Sequence, residues 1–452
     1  MKDYNRKDTI CALATGSGMG AIAIIRTSGI KAFAICNKVF SKNIADVKSH
    51  SIHFGTLKKE EEIIDEVLIS VFKNPNSFTG EDVFEISCHG SVFIQQQILQ
   101  LLTENGARIA NPGEFTLRAF SNGKMDLSQA EAVADLIASE SKKAHQIAIT
   151  QMRGGFSNDL KILREQLINF ASLIELELDF SEEDVEFANR EQFTQLLLLI
   201  KEKLTKLIDS FHLGNVIKNG IPVTILGAPN VGKSTLLNVL VNEDRAIVSE
   251  IAGTTRDTIE DVINIEGIQF RFIDTAGLRD TKDTIEKIGI KKALEKAEKA
   301  EVVIYLLDAT TNIEAQEKEI VKIKKLQNKL IVIVNKTDLN PNIYETLKEK
   351  NYLFISAKNK DGIEDLKKTI IKSIDTNLSS DETVISNSRH QEELSNTLKE
   401  IIAVMGGLNN GISGDLLAIN IRQALYHLGL ITGEVTTDDL LGNIFSKFCI
   451  GK

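Results

Sequence analysis

The octapeptide Gly227-Ala228-Pro229-Asn230-Val231-Gly232-Lys233-Ser234 restricts the fold of this chain more than any other stretch. It spells GxxxxGKS, with the apolar run Ile221-Pro222-Val223-Thr224-Ile225-Leu226 before it and the helix-like Thr235–Val241 after it. A buried strand, a tight loop and a helix satisfy that order, and it is the setting that gives the motif physical sense. Glycines let backbone N–H groups wrap phosphates at a helix N-terminus. Lys233 is placed to bridge β- and γ-phosphates and the Ser234 hydroxyl to hold Mg²⁺, with Val231, Gly232 and Thr235 completing the cradle.

Four further segments follow in an order that fits one nucleotide site. Gly253-Thr254-Thr255-Arg256-Asp257 offers the Thr255 hydroxyl to the metal and the γ-phosphate. Phe270-Arg271-Phe272-Ile273 leads into Asp274-Thr275-Ala276-Gly277, a carboxylate near the metal and a glycine N–H for the phosphate. Ile331-Val332-Ile333-Val334 runs into Asn335-Lys336-Thr337-Asp338, whose last carboxylate can accept two N–H groups from guanine. Adenine offers no such pair, so a site built on that bond discriminates strongly. Ser356-Ala357-Lys358, after the strand-like Tyr352–Ile355, suits a backbone contact to the guanine oxygen. Together these residues predict a P-loop GTPase domain with a mostly parallel sheet between about 219 and 375. One part is missing. Ras-like GTPases place a water-orienting glutamine after the glycine of the second segment, and here Leu278 stands there. The P-loop also has no arginine, whose loss from a Ras-type site costs roughly 10³–10⁵ in rate.

The 452 residues are too many for one ordinary core, and about 150 per domain suggests three units. Residues 1–122 alternate strand-like runs (Ala21–Arg26, Val67–Phe72, Val83–Cys88) with a helix-like Ser91–Asn105, an α+β pattern. Thr15-Gly16-Ser17-Gly18-Met19-Gly20 precedes a strand rather than a helix, which predicts a turn and not a dinucleotide loop. From residue 126 the period is helical. Ser128 with Glu131 forms a capping-box pattern, and Leu127, Ala130, Ala134 and Ile137 share a face. Further helices are expected over Leu160–Leu178, Phe193–Phe211 and 390–448, the last opening at Thr437 with Leu440, Leu441, Ile444, Phe445 and Phe448 on one face. Helical blocks at 123–215 and 377–452 flanking an α/β unit at 216–376 predict one discontinuous helical domain with the nucleotide domain inserted.

The net charge of −10 sits in those helical blocks. Lys+Arg against Asp+Glu is 13 to 13 over 1–122 and 25 to 25 over 216–376, but 10 to 16 over 123–215 and 5 to 9 over 377–452. Acidic flanks repel phosphate backbones, so any nucleic acid must be held by something other than the bulk field. No apolar core follows the N-terminal charges and no run spans a bilayer. A cytoplasmic, membrane-free protein is expected. Cys11, Cys36, Cys88 and Cys449 form no CxxC pair, so neither a disulfide framework nor a zinc site is indicated.

The P-loop with Asn230, the Gly253–Asp257 segment and Asp274-Thr275-Ala276-Gly277-Leu278-Arg279 resemble the bacterial tRNA uridine-modification GTPases of the MnmE/TrmE family. So do Asn76-Ser77-Phe78-Thr79-Gly80-Glu81-Asp82, Pro112-Gly113-Glu114-Phe115, Met125–Ala132 and the terminal Cys449-Ile450-Gly451-Lys452. The resemblance spans essentially the whole chain. It implies an N-terminal folate-binding and dimerisation domain, a discontinuous helical domain and an inserted GTPase domain. It also implies a homodimer, and a flavin-dependent partner of the MnmG/GidA type with which the family modifies carbon 5 of the wobble uridine of certain tRNAs. A reduced folate of the 5-formyl- or methylene-tetrahydrofolate type supplies the carbon. A K⁺ ion replaces the arginine finger, and carried over, its ligands are Asn230, Ser249, the Ile251 carbonyl and Thr254, with Ser249 standing where threonine is usual. The water-positioning acid falls on Glu286 and the folate contacts on Arg26, Glu85, Lys124 and Lys452. Cys449 is open between a reactive thiol and a small packing residue. Two rival readings are a regulatory or ribosome-assembly GTPase switch, against which the acidic flanks count, and a one-carbon folate enzyme, which leaves the GTPase motifs unexplained.

Overall fold

The computed structural model describes residues 8–179, 190–243, 261–273, 295, 297–326, 329–374, 383–410, 412 and 414–451. The chain forms two compact units. One comprises Met1–Ile137, Thr150–Lys201 and Glu393–Lys452, and the other Ala138–Ile149 and Glu202–Glu392.

The first unit contains a sheet of β1 (Thr9–Leu13), β2 (Ile22–Ser28), β3 (Ser51–Lys59), β4 (Glu62–Phe72), β5 (Val83–His89) and β6 (Ala107–Ile109), in the order β3-β4-β5-β2-β1-β6. Neighbours are antiparallel except β1 and β6. Alternation with period two sorts each strand into faces. Phe84, Ile86 and Cys88 of β5 are buried with Ile25 and Val67 beneath the helices Ala32–Val39 and Val92–Glu104, while Glu85 and Ser87 point to the opposite face. Residues 15–20 join antiparallel β1 to β2, so they form a turn, as their setting predicts.

The expected helices are present at Gly155–Asp179, Arg190–Asn219, Ser388–Asn409, Gly414–Thr432 and Asp438–Phe445. Thr437 caps the last one, its side chain accepting from the Leu440 N–H. Phe445 is buried against Leu127 and Ala130, with Leu440, Leu441, Ile444 and Phe448 packed around them. One cap differs from expectation. The helix Leu127–Ala138 begins a residue before Ser128, so Asp126 takes the cap. Asp126 Oδ1 accepts from Gln129 N, and Gln129 Oε1 accepts from Asp126 N, both at 2.9 Å. This reciprocal pair is the capping box, and Ser128 instead donates to Asp126 and meets Ser157. The apolar stripe also ends early, because Ile137 is 46% exposed.

The second unit is built on β7 (Ile221–Gly227), β8 (Asp261–Ile265), β9 (Ile268–Phe272), β10 (Val302–Asp308), β11 (Leu330–Asn335) and β12 (Leu353–Phe354), in the order β12-β11-β10-β7-β9-β8. Every pair is parallel except β8–β9. All seven residues of β10 are buried, as expected of a central parallel strand covered on both faces. One face packs on Leu236, Leu237 and Leu240 of the helix Lys233–Glu243, and the other on Ile320 and Ile323 of the helix Glu314–Leu326. In such open sheets ligands bind at the carboxyl ends of the strands, where the order reverses. Here β7, which feeds the glycine-rich loop, lies between β10 and β9. Among the described residues no helix is long and apolar enough to cross a membrane.

Candidate functional site

The glycine-rich loop leaves β7 and turns directly into the helix Lys233–Glu243. Asn230 stands at its exposed apex with φ +60°, a left-handed conformation that asparagine tolerates better than most residues. Gly232 has φ +102°, and a Cβ there would lie 2.4 Å from Asn335 Nδ2, so only glycine lets the loop pass. Lys233 Nζ donates to the carbonyls of Gly227 at 2.9 Å and Ala228 at 2.8 Å, which aims the ammonium across the mouth of the loop. Ser234 and Thr235 follow in the first helical turn.

The segments expected to read the base follow β11 and β12, two and three strands from β7, and are tied to that loop. Asn335, 2% exposed, donates from Nδ2 to the Val231 carbonyl and accepts at Oδ1 from the Ala357 N–H at 3.0 Å. One amide therefore fixes the phosphate loop against the loop after β12. Ser356 Oγ donates to Asp338 Oδ1 at 2.7 Å, holding the carboxylate proposed to read guanine. Thr337 Oγ1 donates to the Ile355 carbonyl, and Lys358 is exposed.

Asp308 has no motif to announce it. It ends β10, accepts from Lys336 Nζ at 2.5 Å, and takes the Thr310 N–H and hydroxyl on its other oxygen. Burial pushes its carboxyl up, but the Lys336 ammonium and the Thr310 donors outweigh it and hold the group below the usual aspartate range. The pair locks Lys336, which has φ +64°, beside the base-reading loop. A lone acid closing an otherwise apolar parallel strand was the available signal.

The Arg26–Glu85 pair lies in the first unit. The two residues are directly opposite in the β2–β5 register, and Arg26 Nε donates to Glu85 Oε1 at 2.8 Å. The guanidinium rests 5.5 Å from the Phe78 ring and 5.7 Å from Phe115, a geometry that adds cation–π attraction. Arg26 NH1 also donates to the Gly451 carbonyl at 3.4 Å. Gly451 has φ +94°, and a Cβ there would meet the Leu13 carbonyl oxygen at 2.2 Å. The Gly113 N–H donates to the Cys449 carbonyl at 3.3 Å, so the C-terminal tail is laid against the N-terminal sheet. Lys124 donates to the Pro75 carbonyl at 2.9 Å and lines an open cavity of about 430 Å³ with His50, Phe72, Asn76, Ser77 and Phe78. Phe78 thus borders both Arg26 and the cavity of Lys124.

The cysteines separate by burial. Cys11, Cys36 and Cys88 are buried, which pushes their thiols up to about 12, 12 and 11 and keeps them protonated. Cys449 is exposed. Ser249, Ile251, Thr254, Thr255, Asp274, Thr275, Ala276, Gly277, Glu286 and Lys452 lie outside the described residues.

Two family models match the chain, the MnmE helical domain over residues 127–449 and the GTP-binding protein TrmE N-terminus over residues 9–124. Relatives named tRNA modification GTPase MnmE match from end to end. That of Flavobacterium johnsoniae is 57% identical over 99% of each chain. That of Cytophaga hutchinsonii is 55% identical over 99% of this chain and 98% of its own. That of Bacteroides thetaiotaomicron is 50% identical over 99% of this chain and all of its own. With motifs, fold and full-length identity in agreement, the chain belongs to the MnmE/TrmE family of tRNA modification GTPases.

Proposed function

We propose that the protein is a K⁺-dependent GTP hydrolase that modifies carbon 5 of the wobble uridine of certain tRNAs. It would act with a flavin-dependent partner of the MnmG/GidA type. The contact that carries this reading joins Arg26 to the Gly451 carbonyl, 425 residues apart. It brings the terminal Cys449-Ile450-Gly451 to the Arg26–Glu85 pair, where a nucleotide switch alone has no use for it. The reading divides the chain into a folate-binding and dimerisation domain at 1–122, helical halves at 123–215 and 377–452, and a GTPase domain at 216–376. For a homodimer speak Ile22, Ile52, Phe54 and Leu68, 64%, 65%, 56% and 44% exposed, apolar side chains that a second copy would cover. The compartment is the cytoplasm.

The chemistry of the residues named for these sites suits the groups this activity needs. In the nucleotide site Gly232 lets the phosphate loop pass close to Asn335, Lys233 would supply charge to the phosphates, and Asp338 would read guanine. Ser234 and Thr255 would hold Mg²⁺. Asn230, at the exposed loop apex, would join Ser249, the Ile251 carbonyl and Thr254 in holding K⁺. The bound cation supplies, in place of an arginine, positive charge beside the transferring phosphoryl group. Glu286 would orient the attacking water, the task that Leu278 cannot perform.

A guanidinium beside a carboxylate, two phenyl rings and a lysine-lined cavity suit a flat heteroaromatic ligand with an anionic tail. Glu85 would accept from the ring N–H groups, and Arg26, Lys124 and Lys452 would meet the carboxylates. A reduced folate supplies the one-carbon unit. The exposure of Cys449 supports a chemical rather than a packing role for its thiol. The test is mass spectrometry of wobble uridines in tRNA from a deletion strain carrying either the wild-type gene or Arg26→Ala. Full modification by the variant would remove the folate half of the reading, and equal turnover in KCl and NaCl would remove K⁺.

A further inference from the structure

We propose that Glu81 and Arg118 are positioning residues that hold the 73–82 loop so that Phe78 stays under the Arg26 guanidinium. This deepens the folate reading above and rests on it for its link to ligand binding. The loop joins β4 to β5 and touches both proposed ligand cations, Arg26 through the Phe78 ring and Lys124 through the Pro75 carbonyl. Its placement therefore sets the spacing of the two charges.

What holds the loop lies behind it. Thr79 is fully buried, its hydroxyl is 2.7 Å from Ser28 Oγ, and its carbonyl accepts from Asn122 Nδ2 at 2.7 Å. Ser28 Oγ is also 2.6 Å from Glu81 Oε2. Ser28 is two residues beyond Arg26 on β2, so these short bonds tie the loop to the strand that carries the guanidinium. Glu81 in turn accepts from Arg118 NH1 at 3.2 and 3.3 Å. Arg118 is anchored on its other side by Asp8 Oδ1 at 2.5 Å and Glu114 Oε1 at 3.1 Å.

Arg118, 7% exposed, would be costly to bury alone. Three carboxylates and its neighbour Arg108 make the cluster Asp8, Glu81, Glu114, Arg108 and Arg118. Of the three acids only Glu81 lies in the loop that meets Phe78. Removing its charge leaves two arginines facing two carboxylates, so the core of the cluster stays paired while the loop loses its anchor.

The test combines binding of 5-formyl-tetrahydrofolate with amide hydrogen exchange across 75–82 in the full chain. In Glu81→Ala, exchange at 77–80 should rise ~10-fold or more and folate affinity fall by a similar factor, the scale of a lost charged hydrogen bond. GTP turnover should be unchanged. Glu81→Gln keeps an acceptor for Ser28 but loses the charge that faces Arg118, so both readouts should fall between those of Glu81→Ala and the wild type. Native exchange and native affinity in Glu81→Ala overturn the proposal. Should that variant fail to fold, Ser28→Ala cuts the tie to β2 without removing charge and is read the same way. A wild-type chain that binds no folate defeats the folate reading, while the exchange result still decides whether Glu81 positions the loop.

Discussion

Asn335 donates to the carbonyl of Val231 across 2.8 Å, joining residues 104 apart in sequence. The same amide accepts from the Ala357 N–H. The phosphate loop and both base-reading loops therefore share one buried side chain, and displacing any of them strains the others. Gly232 makes this closeness possible, since any Cβ there would strike the amide.

Asn335→Ala should damage more than the base contact. It leaves the Val231 carbonyl and the Ala357 N–H buried without a partner, at about 1–3 kcal/mol each. GDP affinity should fall at least ~10-fold, the factor that ~1.4 kcal/mol represents. Calorimetric titration measures it, and an unaltered affinity would show that the tie is dispensable.

Asp338→Asn should weaken GTP binding and favour xanthosine triphosphate, whose ring carries a carbonyl where guanine has an amine. Ser356 Oγ can still donate to the amide oxygen, so the side chain should keep its place. A built site loses discrimination, not architecture, when one polar group changes. ATP should remain a poor ligand throughout. Competition titrations with GTP, XTP and ATP give the order directly.

Much of this site was legible because its motifs are local. GxxxxGKS and Asn335–Asp338 each lie on one strand and the loop after it, so spacing along the chain is spacing in space. The ties between them were not legible. Nothing local says that Asn335 will meet Val231, or that Asp308 will meet Lys336, because parallel strands set those contacts across long intervals. The Arg26–Glu85 pairing likewise comes from the β2–β5 register, and the sequence alone does not fix which residues stand opposite. At Asp126 the failure was a different one. Two cap-competent residues lie two apart, and propensity cannot choose between them.

Stability of the first unit should depend on Glu114. Burial pushes this carboxyl up, but the Arg108 guanidinium, the Asn111 N–H and Arg118 outweigh burial and hold it below its ordinary 4.5. A depressed folded-state value stabilises above the unfolded-state pKa, and the gain is lost as pH falls through the folded one. The urea midpoint should be level from pH 7 to about 5 and drop below that. Glu114→Gln should be less stable at pH 7 by about 1–3 kcal/mol, the worth of a charge-assisted bond. Its acid slope should be shallower. Parallel slopes for the two proteins would assign acid sensitivity elsewhere.

The C-terminal tail gives the sharpest separation of activities. Gly451→Ala places a methyl 2.2 Å from the Leu13 carbonyl oxygen at φ +94°, which an L side chain resists. The tail should leave its seat and Arg26 should lose the Gly451 carbonyl. Folate affinity and tRNA modification should both fall, by ~10-fold or more if seating costs over 1.4 kcal/mol. GTP turnover should stay at the wild-type level, because Gly451 lies beyond the unit that carries the P-loop. Cys449→Ser then distinguishes the roles of the tail. That residue is exposed, so the oxygen-for-sulfur exchange disturbs little packing. Loss of modified uridine with folate binding intact would assign chemistry to the thiol. Intact modification in Cys449→Ser, with loss in Gly451→Ala, would leave the tail the single task of closing the Arg26 site. Normal modification in both would detach the tail from the reaction.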